Sequence, residues 1–107
     1  MGPIDEGKKQ PTIESPDGNL QIIHFKVVTG LFGEMAVEGA VKNIGLKPDI
    51  SAVVKVEYFD SCGEYIDCST DTVRHLSPGR VGAFEVVYSG QIRYRIKSLK
   101  LSVTSAE

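Results

Sequence analysis

Apolar and polar residues alternate with a period of two along most of the chain after residue 18, and this alternation limits the fold more than any other feature. Successive side chains of a β-strand point to opposite faces, so the pattern predicts strands that are buried on one face. Residues 50–59 show it best, because Val54 and Val56 alternate with Lys55 and Glu57. No long stretch has the apolar spacing of an amphipathic helix.

Several alternating segments follow one another, and clusters of Gly, Pro, Asn and Asp separate them at intervals of about eight to twelve residues. The predicted strands are residues 20–29, 35–44, 50–59, a return strand from Tyr65, 70–76, 81–88 and a last run over 92–103. About seven short strands with this spacing predict an all-β fold, an immunoglobulin-like sandwich of two antiparallel sheets. A small β-barrel is the alternative.

Two segments leave the register open. Residues 20–29 carry apolar side chains on both faces, with Phe25 and Val27 on one and Leu20 and Ile22 on the other. In residues 92–103 the alternation slips by one position, which predicts a β-bulge near Ser98 or a short turn between two strands.

The length of 107 residues fits a single domain. Residues 1–18 contain three prolines, several charges and no apolar signal-peptide core, so they are predicted to form a flexible arm before a sandwich domain over 19–107. No apolar run approaches the roughly 18 residues that span a membrane. Taken at face value the chain is cytoplasmic, but it is equally consistent with a piece of a longer protein.

Cys62 and Cys68 flank a predicted hairpin turn. Their spacing is not that of a zinc or redox motif, and two thiols supply only half of a zinc shell, so neither a metal site nor a cofactor is predicted. Two free thiols are the favoured interpretation. The alternative is a Cys62–Cys68 disulfide across the turn, which would indicate an oxidising compartment.

The same hairpin gathers acidic residues between Asp60 and Asp71. A solvated acidic edge is the favoured interpretation, and a weak site for a divalent cation or another ligand is the alternative. The sequence contains no phosphate-binding loop, dinucleotide fingerprint or activated nucleophile, so no enzymatic activity is predicted. The net charge of −2 argues against nucleic-acid binding.

Two groups of residues are candidates for contact with a partner. Leu31 and Phe32 lie at a predicted loop tip, where burial over the end of the sandwich is favoured and an exposed apolar contact is the alternative. Arg93, Arg95 and Lys97 are predicted to share one solvent face of a strand. The favoured interpretation is that this face keeps the strand soluble and prevents edge-to-edge aggregation. The alternative is a binding patch for an acidic partner, a polyanion or an anionic lipid surface.

Three stretches together resemble the FxLYD domain family. Residues 37–45 read V-E-G-A-V-K-N-I-G, residues 54–63 read V-K-V-E-Y-F-D-S-C-G, and residues 76–84 read L-S-P-G-R-V-G-A-F. The family shows a V-x-G-x-V-x-N strand, then an apolar strand that ends in an aromatic-Asp turn with Gly, then L-x-P-G-x-x-x-x-F. The resemblance covers roughly residues 20–103. Of the naming motif only Asp60 matches directly, because Val56, Tyr58 and Phe59 stand where Phe, Leu and Tyr would be.

The resemblance implies an immunoglobulin-like sandwich, of a kind often found on extracytoplasmic or membrane-attached bacterial and archaeal proteins. The biochemical role of the family is not established, so it supplies no active site to transfer. We therefore expect a non-catalytic module, an interaction or spacer domain of a larger or surface-attached protein with an unidentified protein partner. The rival hypothesis is a weak ligand or divalent-metal binder that uses the hairpin between Asp60 and Asp71.

Overall fold

The computed structural model describes residues 12–32, 34–90 and 93–106, with Arg93 described by its backbone alone. Its strands are β1 (Ile13–Glu14), β2 (Leu20–Thr29), β3 (Met35–Asn43), β4 (Ile50–Phe59), β5 (Tyr65–Leu76), β6 (Val81–Tyr88) and β7 (Ser98–Ala106). A single turn of 3-10 helix, Arg93–Arg95, precedes β7, and the described residues contain no α-helix.

The strands form two antiparallel sheets that pack face to face. One sheet has the order β1-β2-β3-β6 and the other the order β5-β4-β7, and they do not close into a barrel. This confirms the prediction of a two-sheet sandwich with seven strands, and the barrel alternative is wrong. Burial in β4 alternates as the sequence predicts, with fully buried side chains at Ala52, Val54, Val56 and Tyr58.

A β-bulge in β2 settles the register that the sequence left open. The pairing with β3 shifts between Ile22 and His24, so Ile23 has no partner. Before the bulge Leu20 and Ile22 are buried, and beyond it Val27 lies opposite the buried Val37. Because directly opposed residues share a face of the sheet, both apolar sets point to the same inner face.

Three predicted boundaries need correction. The return strand from Tyr65 and the strand over 70–76 are one strand, β5. Residues 13–14, assigned to the flexible arm, pair with β2 as strand β1, whereas residues 1–11 lie outside the described residues. The run over 92–97 was predicted as a strand, but Arg93–Arg95 is helical and Ser98 begins β7 rather than forming a bulge. The physical reason is topological, because the chain must leave β6 in one sheet and reach β7 in the other.

The strand order defines two ends of the sandwich. The Phe32 end carries the β2–β3 loop, the turn between β4 and β5, and the connection from β6 to β7. The Asn43 end carries the turn after β1, the β3–β4 loop and the turn between β5 and β6. These two names are kept below.

At the Asn43 end, a buried asparagine closes the β3–β4 loop. Asn43 is fully buried, and its Oδ1 accepts a hydrogen bond from the Gly45 N–H at 2.9 Å. Its Nδ2 donates to the carbonyls of Lys47 at 3.0 Å and Leu76 at 2.9 Å. The side chain thus closes the turn, as its residue type predicts, and also ties the loop to the end of β5.

Gly39 in β3 lies where no side chain fits. A Cβ atom there would collide with the backbone carbonyl of His24 and lie 2.7 Å from the Phe84 ring. The Phe84 side chain is buried beneath this position. Glycine is therefore present because the backbone of β2 and the Phe84 ring approach β3 closely.

Candidate interaction surface

Two of the most exposed apolar side chains of the described residues lie next to each other in the β2–β3 loop. Leu31 is 96% exposed and Phe32 is 85% exposed, so the favoured expectation that they are buried over the end of the sandwich is wrong. Glu34 holds this loop in shape. Its backbone carbonyl accepts the Gly30 N–H at 2.8 Å, and its Oε1 accepts the Phe32 N–H at 2.9 Å.

Two tyrosines at the same end were missed by the sequence analysis. Tyr94, in the 3-10 turn, is 74% exposed, and Tyr65 at the start of β5 is also exposed and stacks edge-on against Phe59 with ring centroids 6.1 Å apart. The sequence could have indicated their exposure, because each tyrosine is adjacent to charged or turn residues. Protein interfaces are enriched in aromatic residues and arginine.

Asp60 organises the turn between β4 and β5 at this end. Its Oδ1 accepts the N–H groups of Cys62 at 2.8 Å and Glu64 at 3.0 Å, and its Oδ2 accepts Arg95 Nη2 at 3.3 Å. The Gly63 N–H closes the turn on the Asp60 carbonyl at 3.0 Å. The backbone hydrogen bond from Glu64, followed by those from Cys62 and Arg95, holds the pKa of Asp60 below its ordinary value.

The prediction that Arg93, Arg95 and Lys97 share one solvent face of a strand is wrong. Arg95 turns back to pair with Asp60, and the Lys97 N–H donates to the Phe59 carbonyl at 2.8 Å while its side chain is exposed. The side chain of Arg93 lies outside the described residues. The three residues therefore do not form one face of a strand, because the segment that carries them begins as a helical turn.

Acidification is expected to destabilise the protein partly through Asp60. Its pKa is lower in the folded state than the ordinary value near 4, so the stability it contributes is present above about pH 4 and is lost as the pH falls toward the folded pKa. We expect Asp60→Asn to show a shallower fall in melting temperature below pH 4 than the wild type. Glu64→Gln, which removes a charge from the same turn and keeps the acceptor, is the control. Parallel pH profiles for Asp60→Asn and wild type would contradict this role.

The other carboxylates of the hairpin also accept backbone hydrogen bonds. Asp67 Oδ1 accepts the Cys68 N–H at 2.7 Å, and Asp71 Oδ1 accepts the Thr72 N–H at 3.0 Å. Asp71 Oδ2 accepts the Glu85 N–H at 2.9 Å, which joins β5 to β6 across one long side of the sandwich. In the described part of the chain, no three His, Cys, Asp or Glu residues gather closely enough to hold a metal ion.

The two cysteines do not face each other across the turn. Cys62 lies in the turn itself and is exposed, whereas Cys68 lies on β5 opposite Glu57. Both are free thiols in the structure. A hydrogen bond with Cys68 and partial desolvation raise the pKa of the Tyr65 hydroxyl to about 12.

We expect two titratable thiols per chain in protein purified without reductant, both when folded and when denatured. Cys62 should react first with an aromatic disulfide reagent because it is exposed, and Cys68 more slowly because it is half-buried. A Cys62→Ser variant identifies the fast phase. Loss of both thiols in the denatured monomer would show a Cys62–Cys68 disulfide and contradict this expectation.

A shallow depression lies on the outer face of the four-stranded sheet. It has a volume of about 180 Å³, and its lining includes Val28, Met35 and Val87 together with Glu38 and Glu85. Glu38 and Glu85 are direct cross-strand neighbours. The volume is below that of ordinary small-molecule sites, roughly 300 Å³ or more.

The fold and this surface define an antiparallel β-sandwich whose loops present apolar and aromatic side chains at one end. The chain is 27% identical over 86 residues to an uncharacterized protein of Methanocaldococcus jannaschii. The match covers 80% of this chain and 64% of that relative, so the chain spans less than two thirds of its length. No family model and no solved structure matches the chain. Within the described residues, no helix is long and apolar enough to cross a membrane.

Proposed function

We propose that this chain is a non-catalytic β-sandwich module that binds a protein partner through the Phe32 end, as part of a larger or surface-attached protein. The observation that carries the proposal is the exposure of Leu31 and Phe32 at the tip of a loop that Glu34 holds in shape. Single exposed apolar residues are common, but two adjacent ones at the end of the sandwich that also carries the exposed Tyr65 and Tyr94 resemble the anchors of interfaces.

The strand order supports an immunoglobulin-like assignment. Numbered from β2, one sheet contains the first, second and fifth strands and the other contains the fourth, third and sixth. In immunoglobulin-like sandwiches the first, second and fifth strands likewise share one sheet and the third and sixth share the other, although in the constant type the fourth strand joins the first sheet. Variable domains of this fold bind partners with the loops at one end. Surface attachment of the parent protein follows from the resemblance to FxLYD domains. We do not propose the acidic hairpin as a second function, because within the described residues no three His, Cys, Asp or Glu side chains gather there closely enough to hold a metal ion.

Site-specific photocrosslinking in the cells that make the protein tests this proposal. Phe32 is replaced with benzoyl-phenylalanine, and the control carries the same group at Leu46, which is 91% exposed in the β3–β4 loop at the Asn43 end. We expect a discrete adduct of one partner protein from position 32 and none from position 46. Absence of an adduct at position 32, or the same adducts at both positions, would contradict binding through the Phe32 end.

A further inference from the structure

The two long sides of the sandwich differ. On one side β5 and β6 are joined by the Asp71–Glu85 hydrogen bond. On the other side β7 is the edge strand of its sheet, and the described chain places no strand on its outer edge. There the two-residue strand β1 borders β2, and Asp17 bonds to Ser105, so both ties lie toward the Asn43 end. Toward the Phe32 end, the described residues leave this side open.

The core is incompletely covered along the open side. Val27 lies on the inner face of its sheet, opposite the fully buried Val37, and yet it is 48% exposed. Phe25 on the same strand is only partly buried. Across from them Leu99 of β7, the register partner of the buried Tyr58, is also only partly buried. An apolar strip therefore borders the outer edge of β7.

The two strands that border the open side carry no acidic residue, although Asp17 bonds to Ser105 there and Glu57 of β4 lies opposite Lys100. Residues 18–33, which contain β2, and residues 86–106, which contain β7, include none of the 14 acidic residues of the chain. The two segments contain Lys26, Arg93, Arg95, Lys97 and Lys100, although the whole chain has a net charge of −2. Arg95 is paired with Asp60, but Lys97 and Lys100 are exposed beside the edge of β7.

We propose that the outer edge of β7 binds an acidic, extended segment of a partner protein, which adds a fourth strand to the β5-β4-β7 sheet. The inference rests on the proposed function, an interaction module, and specifies one class of partner. Backbone hydrogen bonds to an edge strand give affinity, and alternate side chains of the added strand give specificity. Its inward apolar side chains cover Val27 and Leu99, and its outward carboxylates lie beside Lys100.

The first probe is a nine-residue peptide in which valine alternates with glutamate and threonine. Titration into the ¹⁵N-labelled protein should shift the backbone amides of β7 and of Val27, and leave those of β5 unchanged. Two further peptides carry N-methyl groups at alternate residues. In the first peptide the methyl groups block the N–H groups along one edge of the extended strand, and in the second they block those along the other edge. One of them should bind more than about tenfold more weakly and the other should retain binding, because only one peptide edge bonds to β7.

A charge reversal on the protein is the second test. We expect Lys100→Glu to weaken binding of the acidic peptide by about three- to fivefold, the upper part of the range for an exposed charge pair, because the substitution reverses the charge. The matched control is Arg74→Glu, an exposed position on β5 at the opposite edge of the same sheet. Should Lys100→Glu fail to fold, the N-methylated peptides still decide the question on the wild-type protein.

Several results would overturn the proposal. The first is that the peptide leaves the chemical shifts of the β7 amides unchanged, and the second is that both N-methylated peptides bind with equal affinity. The third is that a lysine-containing peptide or heparin binds as tightly as the acidic peptide. The fourth is that the β7 amide shifts change when the protein is concentrated without peptide. The last result would assign the edge to a second copy of the chain. A crosslink at Phe32 together with any of these results would leave the proposed function standing and remove only the β7 site.

Discussion

Replacing Tyr58 with alanine should lower the free energy of unfolding by about 3–5 kcal/mol, the range for large aromatic residues truncated in a core. Tyr58 is fully buried near the end of β4, the central strand of its sheet, and its ring meets that of Tyr88 edge-on with centroids 4.7 Å apart. Its hydroxyl lies 2.7 Å from Ser69 Oγ, which gives the buried polar atom a partner. Truncation removes both the packing between the sheets and this link to β5.

Urea denaturation measures the effect, and Tyr58→Phe is its control. Tyr58→Phe keeps the ring and removes only the hydroxyl, so we expect it to lose about 1 kcal/mol. Ser69→Ala should lose a similar amount, because it breaks the same hydrogen bond. If Tyr58→Ala were as stable as Tyr58→Phe, the two sheets would not depend on the ring for their packing.

Replacing Asn43 with alanine should cost about 3 kcal/mol, although the side chain is small and polar. The substitution leaves the Leu76 carbonyl buried without its donor and removes the hydrogen bonds to Gly45 and Lys47. A buried polar group that loses its partner costs about 1–3 kcal/mol. Asn43 therefore stabilises the connection between the sheets.

Asn19→Ala, which changes the other asparagine of the chain at the same end of the sandwich, is the control for Asn43→Ala. Its side chain is half-buried, so we expect a loss of less than about 1 kcal/mol in the same urea titration. Equal losses for the two variants would mean that the three hydrogen bonds of Asn43 contribute no more than ordinary surface contacts.

The strands and their inward faces were largely predictable from the sequence. Period-two alternation in β4 and β6 placed Val56, Tyr58 and Phe84 in the core, because these strands have one buried face each. Prediction failed at the last change of sheet, between β6 and β7. The sequence around Arg93–Arg95 alternates as in a strand, but the chain crosses from β6 to β7 at that point and needs a turn there. The alternation of apolar and polar residues does not show which of the two sheets a segment belongs to.

The candidate surface was only partly predictable. The sequence identified Leu31 and Phe32, but it favoured burial, because the exposure of a loop depends on whether neighbouring loops cover it. It did not reveal that Arg95 turns back to Asp60, a contact across 35 positions of the chain. The open outer edge of β7 follows from strand order, which becomes known only when the sheets are assembled.

The strand order β5-β4-β7 also determines when folding can finish. The hairpins β2–β3 and β4–β5 join neighbouring parts of the chain and need little loop closure, whereas β4 acquires its other neighbour only after β5 and β6 have been made. Contacts between distant residues form slowly. During synthesis on the ribosome, one edge of β4 therefore stays open until residues 98–106 emerge, and an open strand edge is prone to misassembly for that interval.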